Sequence, residues 1–175
     1  MAVARSYSRG FLLYAVGVAH NAVMIDPEKS LFESFTLPRR KRRYLELLGT
    51  KGGRDKIRSS LDHFKDLNPR YARPVRPQES NPERIFSLLR SLGAPDSCHL
   101  MSSSPELDNR EMPLLEALQR IVGYGQGTFV CCVPGRLAYF ESEEVASAIC
   151  AYASVTDVPH GIFRFCAYAL KSRHA

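Results

Sequence analysis

Thiols and imidazoles are the residue types in this chain from which nucleophilic catalysis could be built. Cys131 and Cys132 are adjacent, and either could meet His99 or His160, since a nucleophile and its base need only be close in space. Cys98 lies next to His99, but neighbouring residues of a strand face opposite ways, so that pair is not expected to work as a dyad. The competing interpretation is that the cysteines are buried core residues, the commoner role for cysteines with apolar neighbours. We expect packing for at least one of the adjacent pair, with Cys131 the stronger candidate.

The cysteines and histidines show no spacing typical of a metal site. The five cysteines contain no Cys-x-x-Cys pair, and adjacent thiols on a strand could not both reach one zinc ion. Their odd number also argues against a disulfide framework. The five histidines are scattered, without a His-x-x-x-His or a His-Glu pair. We therefore expect no metal and no cofactor, and reduced cysteines in the cytoplasm.

Two polar or glycine-rich stretches could hold a small ligand. Gly123–Gly127 has the composition of a phosphate-binding loop, but such a loop follows a strand and precedes a helix, and here the predicted order is reversed. We expect these glycines to end a helix and lead into a strand. The motif Gly-x-x-x-x-Gly-Lys-Ser/Thr is absent, which excludes a P-loop NTPase.

The richer stretch is Ser102–Glu111, which follows a predicted strand and precedes a predicted helix. That is the usual ligand position in open α/β sheets. The side chains that would face a ligand carry hydroxyl, carboxylate, amide and guanidinium groups: Ser102, Ser103, Ser104, Asp108, Asn109 and Arg110. The alternative role of this loop is to connect the two elements and to cap the following helix through Asp108 or Asn109.

Positive charge is concentrated in Pro38–Pro77. This segment holds 13 Lys and Arg against four acidic residues, a net charge of +9, whereas the whole chain carries +6. Positive charge in the first turn of a helix opposes the helix dipole, so the cluster at 39–43 is not explained by helix stability. We interpret the segment as a surface that contacts a polyanion, and the alternative is a solvated face or a targeting signal. The expected nucleic-acid contacts are Arg39, Arg40, Lys41, Arg42, Arg43, Lys51, Arg54, Lys56 and Arg58.

The pattern predicts two helices in this segment, Arg39–Leu48 and Arg54–Phe64, separated by a glycine turn. Residues 68–77, with a proline at every few positions, read as a linker. Helix, turn and helix is the order of a helix-turn-helix, but neither helix offers Asn or Gln to read bases. The charge suits contact with phosphates, not base reading.

The remainder of the chain predicts a small α+β layer in the order helix, strand, helix, strand, strand. The predicted helices cover 82–92, 112–122 and 145–150, and the predicted strands cover 98–101, 128–133 and 136–140. Residues 162–170 fit either a helix or an additional C-terminal strand, and the alternation of Phe163, Phe165 and Ala167 favours the strand. In the strand 128–133, Cys131 is expected to share a face with Phe129 and Val133. The fold class is therefore α+β, with the two basic helices preceding the layer.

The charge pattern divides the chain into an extension (1–23), a basic helical segment with its linker (24–77) and an α+β domain (78–175). The extension has two arginines, no acidic residue and a short apolar run. Three interpretations stay open: an over-long start with Met24 as the true first residue, an edge strand, or an export signal. No apolar run reaches the roughly 20 residues of a membrane-spanning helix.

The leading hypothesis is a small non-enzymatic module that contacts nucleic acid, RNA or ribonucleoprotein in the first place. Its C-terminal domain would bind another protein or a small ligand. The alternatives are an enzyme or ligand-binding domain with its site at Ser102–Glu111, and an interaction module with an acidic protein partner. If that loop and the basic helices line one groove, the ligand-binding hypothesis gains; if they lie on opposite sides, the binding module gains.

Overall fold

The computed structural model describes residues 25–143 and 146–151 and shows an α+β protein, which confirms the predicted fold class. The helices are α1 (Pro27–Phe35), α2 (Pro38–Leu48), α3 (Gly53–Arg58), α4 (Pro82–Ser91) and α5 (Leu114–Ile121). The strands are β1 (Ala72–Pro74), β2 (Ser97–Ser102), β3 (Arg110–Pro113), β4 (Thr128–Val133), β5 (Leu137–Ser142) and β6 (Ala146–Ala151). Two short 3₁₀ turns lie at Leu61–His63 and Pro77–Glu79.

The six strands form one antiparallel sheet in the order β1-β6-β5-β4-β2-β3. Because side chains alternate along a strand, the sheet buries a separate core on each face. Residues of α1 and α3 pack on one face and residues of α4 and α5 on the other. The sheet therefore separates the basic helices from the C-terminal helices.

The core beneath α1 and α3 is aromatic. The rings of Phe32, Phe64, Phe129 and Phe140 are buried and meet mostly edge to face, with the centroids of Phe64 and Phe129 5.4 Å apart. Each such side chain stabilises the fold by about 1.5–3 kcal/mol through burial alone. This cluster fixes the helical layer to the centre of the sheet.

Helix starts carry clear capping signals. Asn81 accepts hydrogen bonds from the backbone N–H groups of Glu83 and Arg84, and Pro82 begins α4, as the sequence predicts. Asp26 and Pro27 begin α1 in the same way, although no helix was predicted there.

Besides α1, several elements differ from the prediction. Residues Arg110–Pro113 form β3, paired with β2, so the Ser102–Glu111 loop leads into a strand and not into a helix. The helix predicted from 112 begins only at Leu114, and neither Asp108 nor Asn109 caps it. The second basic helix ends at Arg58, because the hydroxyls of Ser59 and Ser60 bond to carbonyls of the last turn and the chain continues as a 3₁₀ turn. The predicted linker contains β1, which pairs with β6 and so belongs to the sheet. The helix predicted for 145–150 is wrong: this segment is β6, paired with β5 and β1.

The predictions for residues 1–23 and for a strand at 162–170 lie outside the described residues. The domain boundaries at 23/24 and 77/78 stay predictions. Within the part of the chain that the structure describes, no helix is long and apolar enough to cross a membrane.

Candidate nucleic-acid interface and polar cleft

The outer face of α2 is a row of exposed cations. At about 100° per residue, Arg39, Arg42 and Arg43 share the face opposite Tyr44 and Leu48, which pack against the core. All three arginines are exposed. The helix begins at Pro38 without a side-chain cap and without an acidic residue in its first turn, so nothing local offsets the unfavourable dipole interaction.

Two of the five cations at 39–43 have acidic partners. Arg42 Nε donates to Glu46 over 2.7 Å on the exposed side of the helix, and Arg40 Nε lies 3.6 Å from Asp66. Arg39, Lys41 and Arg43 make no ion pair with any described residue. An exposed pair of this kind contributes little, so Arg42 can exchange its partner for a phosphate at small cost.

The remaining predicted contacts divide between surface and interior. Lys51, in the turn after α2, and Lys56, on α3, are exposed. Arg58 is half-buried; its Nε lies 3.8 Å from Asp55 and 3.9 Å from Asp108, too far for a hydrogen bond. Lys51 and Lys56 therefore remain candidates for phosphate contact.

Arg54 differs most from the prediction, because its guanidinium is an internal clamp. Its Nε and Nη2 donate to the two oxygens of Glu28 over 2.8 and 2.6 Å, and its Nη1 and Nη2 donate to Asp108 over 2.7 and 2.9 Å. Bidentate pairs of this kind are the strongest charge-assisted hydrogen bonds in proteins. Arg54 thus joins α1, α3 and the Ser102–Glu111 loop, and four of its five N–H donors are occupied.

The two carboxylates of this clamp are held ionised. Burial would raise the pKa of Glu28, but hydrogen bonds from His99 and Arg54 outweigh burial and hold it below the ordinary value. The pKa of Asp108 is likewise lowered, because Arg54 and the backbone N–H of Ser102 outweigh the effect of burial. The same contacts raise the pKa of Arg54. The clamp is therefore fully charged at neutral pH.

Much of the Ser102–Glu111 loop is held by internal hydrogen bonds. Ser102 is buried; its hydroxyl pairs with Thr128 and accepts from the Ser104 N–H, while its own N–H donates to Asp108. Asn109 and Arg110 are exposed. Of the six predicted ligand residues, Ser103 and Ser104 line a polar cleft.

This polar cleft has a volume of about 290 Å³ and is shared by the loop and the end of the basic segment. Its lining residues are Asp62, Ser103, Ser104, Tyr124, Gly125, Gln126 and Glu143. Asp62, four residues after α3, accepts from the Ser103 hydroxyl over 2.6 Å and from the Gly127 N–H over 2.7 Å. The loop and the turn after α3 therefore meet at this cleft, the arrangement expected to favour the ligand-binding hypothesis, but the cations of α2 do not line it. The sequence prediction missed Asp62, Tyr124 and Gln126, although an aromatic residue between two glycines is a readable signal of a presented side chain.

The glycine loop between α5 and β4 ends the helix and leads into the strand, as predicted. Gly123 and Gly125 have φ values of 87° and 67°, and both donate their N–H groups to Oε1 of the buried Glu141. At Gly127, a Cβ would lie 2.1 Å from the carbonyl carbon of Leu61, so only glycine fits there. The loop is therefore fixed by carboxylates instead of offering its N–H groups to a phosphate.

The adjacent cysteines face opposite cores, as a strand requires. Cys131 packs in the cluster beneath α1 and Cys132 in the cluster beneath α4 and α5. Val133 packs with the second cluster and not with Cys131, because a bulge interrupts β4 between Cys131 and Val133.

Cys131 lies directly opposite His99 in the β2–β4 register, and His99 Nε2 lies 3.4 Å from Glu28. This juxtaposition contains the residue types of a thiol triad. However, burial raises the pKa of the Cys131 thiol to about 12, and the side chain is only 2% exposed. A closed, protonated thiol does not act as a nucleophile at neutral pH.

No group of three or more His, Cys, Asp or Glu residues suited to a metal ion occurs among residues 25–143 and 146–151. Comparison of the chain with models of protein families, with curated proteins and with solved structures finds no match. The function of the protein is therefore inferred from the side chains of the site alone.

Proposed function

We propose that the protein is a small non-enzymatic module that contacts the phosphates of nucleic acid, RNA in the first place, through the outer face of α2. The observation that carries the proposal is the row of exposed arginines Arg39, Arg42 and Arg43 in the N-terminal half of α2, where Arg39, in the first turn, opposes the helix dipole. Charge that costs helix stability and finds no buried partner is typical of a surface built for an external anion.

The chemistry of these side chains fits phosphates. Guanidinium groups bind phosphate oxygens with paired hydrogen bonds, and Arg is the residue type best suited to that geometry. Lys51 and Lys56 add exposed positive charge beyond α2, whereas Lys41 is half-buried.

The geometry argues against reading of bases in a DNA duplex. A recognition helix must lie in the major groove and present polar side chains to base edges. The outer face of α2 offers cations and Glu46, and α3 has only six residues, one of which is the engaged Arg54. Contact with the backbone of RNA needs no such helix.

The experiment is a salt titration of RNA binding by fluorescence anisotropy, with a labelled single strand of roughly 12 nucleotides. The variant Arg39→Gln/Arg42→Gln/Arg43→Gln is expected to bind more weakly. For a single strand each phosphate contact contributes about 0.7 to the slope of log K against log salt, so the slope should fall by about 2.

The matched control is Arg84→Gln/Arg90→Gln/Arg120→Gln, which removes the same charge from α4 and α5 across the sheet. It should leave the slope unchanged. Equal effects of the two variants would mean that only net charge matters, and no effect of the α2 variant would refute the proposed interface.

A second candidate function, a ligand-binding or enzymatic domain at Ser102–Glu111, is favoured by one observation: Ser103 and Ser104 line the polar cleft together with Asp62. The cytoplasm is proposed as the location, since the four cysteines of the described residues are free and buried, as in proteins of reducing compartments. A partner protein for the C-terminal half also stays a proposal.

A further inference from the structure

Tyr124 is presented to solvent beside the polar cleft. It is 66% exposed, and the only other large apolar side chain of comparable exposure among the described residues is Ile25. Neither its ring nor its hydroxyl contacts a described residue through a ring interaction or a side-chain hydrogen bond. An exposed aromatic ring at the edge of a cleft is a surface on which a flat ligand can stack.

The loop that carries Tyr124 is held in place from below. Glu141, 3% exposed, accepts the N–H groups of Gly123 and Gly125 on either side of the tyrosine and also binds the Tyr139 hydroxyl. Asp62 holds Gly127 at the other end of the loop. The tyrosine is therefore offered by a fixed backbone, which lowers the entropy cost of binding a ligand.

The lining of the cleft indicates which ligand fits. It contains hydroxyl, amide and carboxylate groups, among them Ser104 and Gln126, and no Lys or Arg. A phosphate would find no cation there, whereas a flat neutral ring with donors on its edge would find an aromatic face and several acceptors. An unpaired nucleobase has this chemistry, since single-stranded RNA is recognised by stacking on aromatic side chains and by hydrogen bonds to base edges.

The cleft adjoins the turn that follows α3. Asp62 in this turn comes four residues after α3, which carries Lys56, and it accepts a hydrogen bond from the Ser103 hydroxyl. A strand bound by the exposed cations would have to continue past this turn to place a base beside Tyr124, with its phosphates kept away from Asp62 and Glu143. We propose that the cleft seats one unpaired base of a single-stranded RNA, stacked on Tyr124. This inference rests on the proposed function and adds recognition of single strands to it.

The test compares Tyr124→Ala with Tyr124→Phe and with the matched surface variant Ile25→Ala. Binding is measured by fluorescence anisotropy for a single-stranded RNA and for a duplex of the same sequence. Stacking of one base accounts for about a tenfold change in affinity. We expect Tyr124→Ala to lose about tenfold for the single strand and nothing for the duplex, whose bases are already stacked. Tyr124→Phe and Ile25→Ala should keep the affinity of the unaltered protein.

The salt slope separates the two proposals. Tyr124→Ala should keep the slope, because no phosphate contact is removed, whereas the α2 variant should flatten it. Photocrosslinking of RNA that contains 4-thiouridine should give an adduct at Tyr124. If single-strand binding depends on α2 but not on Tyr124, or if Tyr124→Ala weakens duplex binding equally, the base-stacking inference is overturned alone. If neither RNA binds at low salt, the proposed function fails and the inference fails with it.

Discussion

Replacing Arg54 by Met should destabilise the protein by about 3 kcal/mol at neutral pH. The guanidinium makes four hydrogen bonds of 2.6–2.9 Å to Glu28 and Asp108, whose side chains are only 9% and 11% exposed. Removal of one partner from a buried ion pair costs about 3–5 kcal/mol, because the other charge stays buried and unpaired. Arg54 itself is 31% exposed, so water screens part of the interaction and the lower end of that range applies.

The loss of stability in Arg54→Met should be larger at neutral pH than in acid. The folded-state pKa values of Glu28 and Asp108 are lowered, so the stability that they contribute is present above their unfolded values of about 4 and is lost as pH falls through the folded values. In Arg54→Met the lowering by Arg54 is absent, and burial favours the protonated carboxyl groups. The difference in the free energy of unfolding between the unaltered protein and Arg54→Met should therefore be smaller in acid than at neutral pH.

The assay is urea denaturation at about pH 7 and about pH 3 with Arg42→Met as the control, whose exposed pair with Glu46 should contribute little to the free energy of unfolding. In thermal unfolding, the Arg54 variant should melt about 6–12 °C lower. A loss below about 1 kcal/mol, or a loss that is the same in acid, would refute the clamp. The variant should also keep the salt slope of RNA binding, because four of the five N–H donors of Arg54 are already occupied.

Two further predictions concern packing. Burial raises the pKa of Cys131 to about 12, so Cys131 and Cys132 should resist alkylation near neutral pH in the folded protein and react only after unfolding. Alkylation is followed by mass spectrometry. Rapid labelling of Cys131 in the folded protein would restore the thiol-enzyme hypothesis. Gly127→Ala should lower the free energy of unfolding by about 3 kcal/mol in urea denaturation, because the added Cβ would lie 2.1 Å from the backbone of Leu61. The control is Gly49→Ala, which should be nearly neutral because a Cβ there meets only ordinary contacts. Equal effects of the two substitutions would contradict the close packing at Gly127.

Local signals predicted α4 and β4 well. Asn81 and Pro82 form a cap that depends only on neighbouring residues, and β4 was predicted over its full length from its apolar run. Such features are readable because the stabilising contacts lie within a few positions of each other in the chain.

Features that depend on distant partners were missed. The spacing of Val145, Ala146, Ile149 and Cys150 fits a helix, but pairing with β5 and β1 makes this segment a strand with Ile149 on one face and Cys150 on the other. Pairing of strands remote in sequence overrides a short apolar pattern of this kind. The cleft was only partly predicted, since Ser103 and Ser104 were identified but Tyr124 was not.

The net charge of the basic segment, counted from the sequence, does not show which of its cations are neutralised in the fold. The net charge of +9 counts Arg54 equally with Arg39, yet Arg54 is neutralised by Glu28 and Asp108, both outside Pro38–Pro77. Its partners lie 26 and 54 positions away, so no local pattern could reveal them.

The available positive charge is therefore more concentrated than the sequence indicates. Arg54 and, in part, Arg58 direct their charge inward to fasten α3 to α1 and to the loop after β2. Arg42 of α2 has only the exposed Glu46 as a partner and Arg40 has the half-buried Asp66, and both arginines, like Arg39 and Arg43, stay exposed at the surface. The two neighbouring helices thus differ in role: α3 orders the helical layer through Arg54, and α2 presents exposed positive charge, which is the surface of the proposed function. We therefore expect that only the exposed cations of α2, together with Lys51 and Lys56, contact phosphates. The number of phosphate contacts should then be well below the thirteen Lys and Arg residues of Pro38–Pro77.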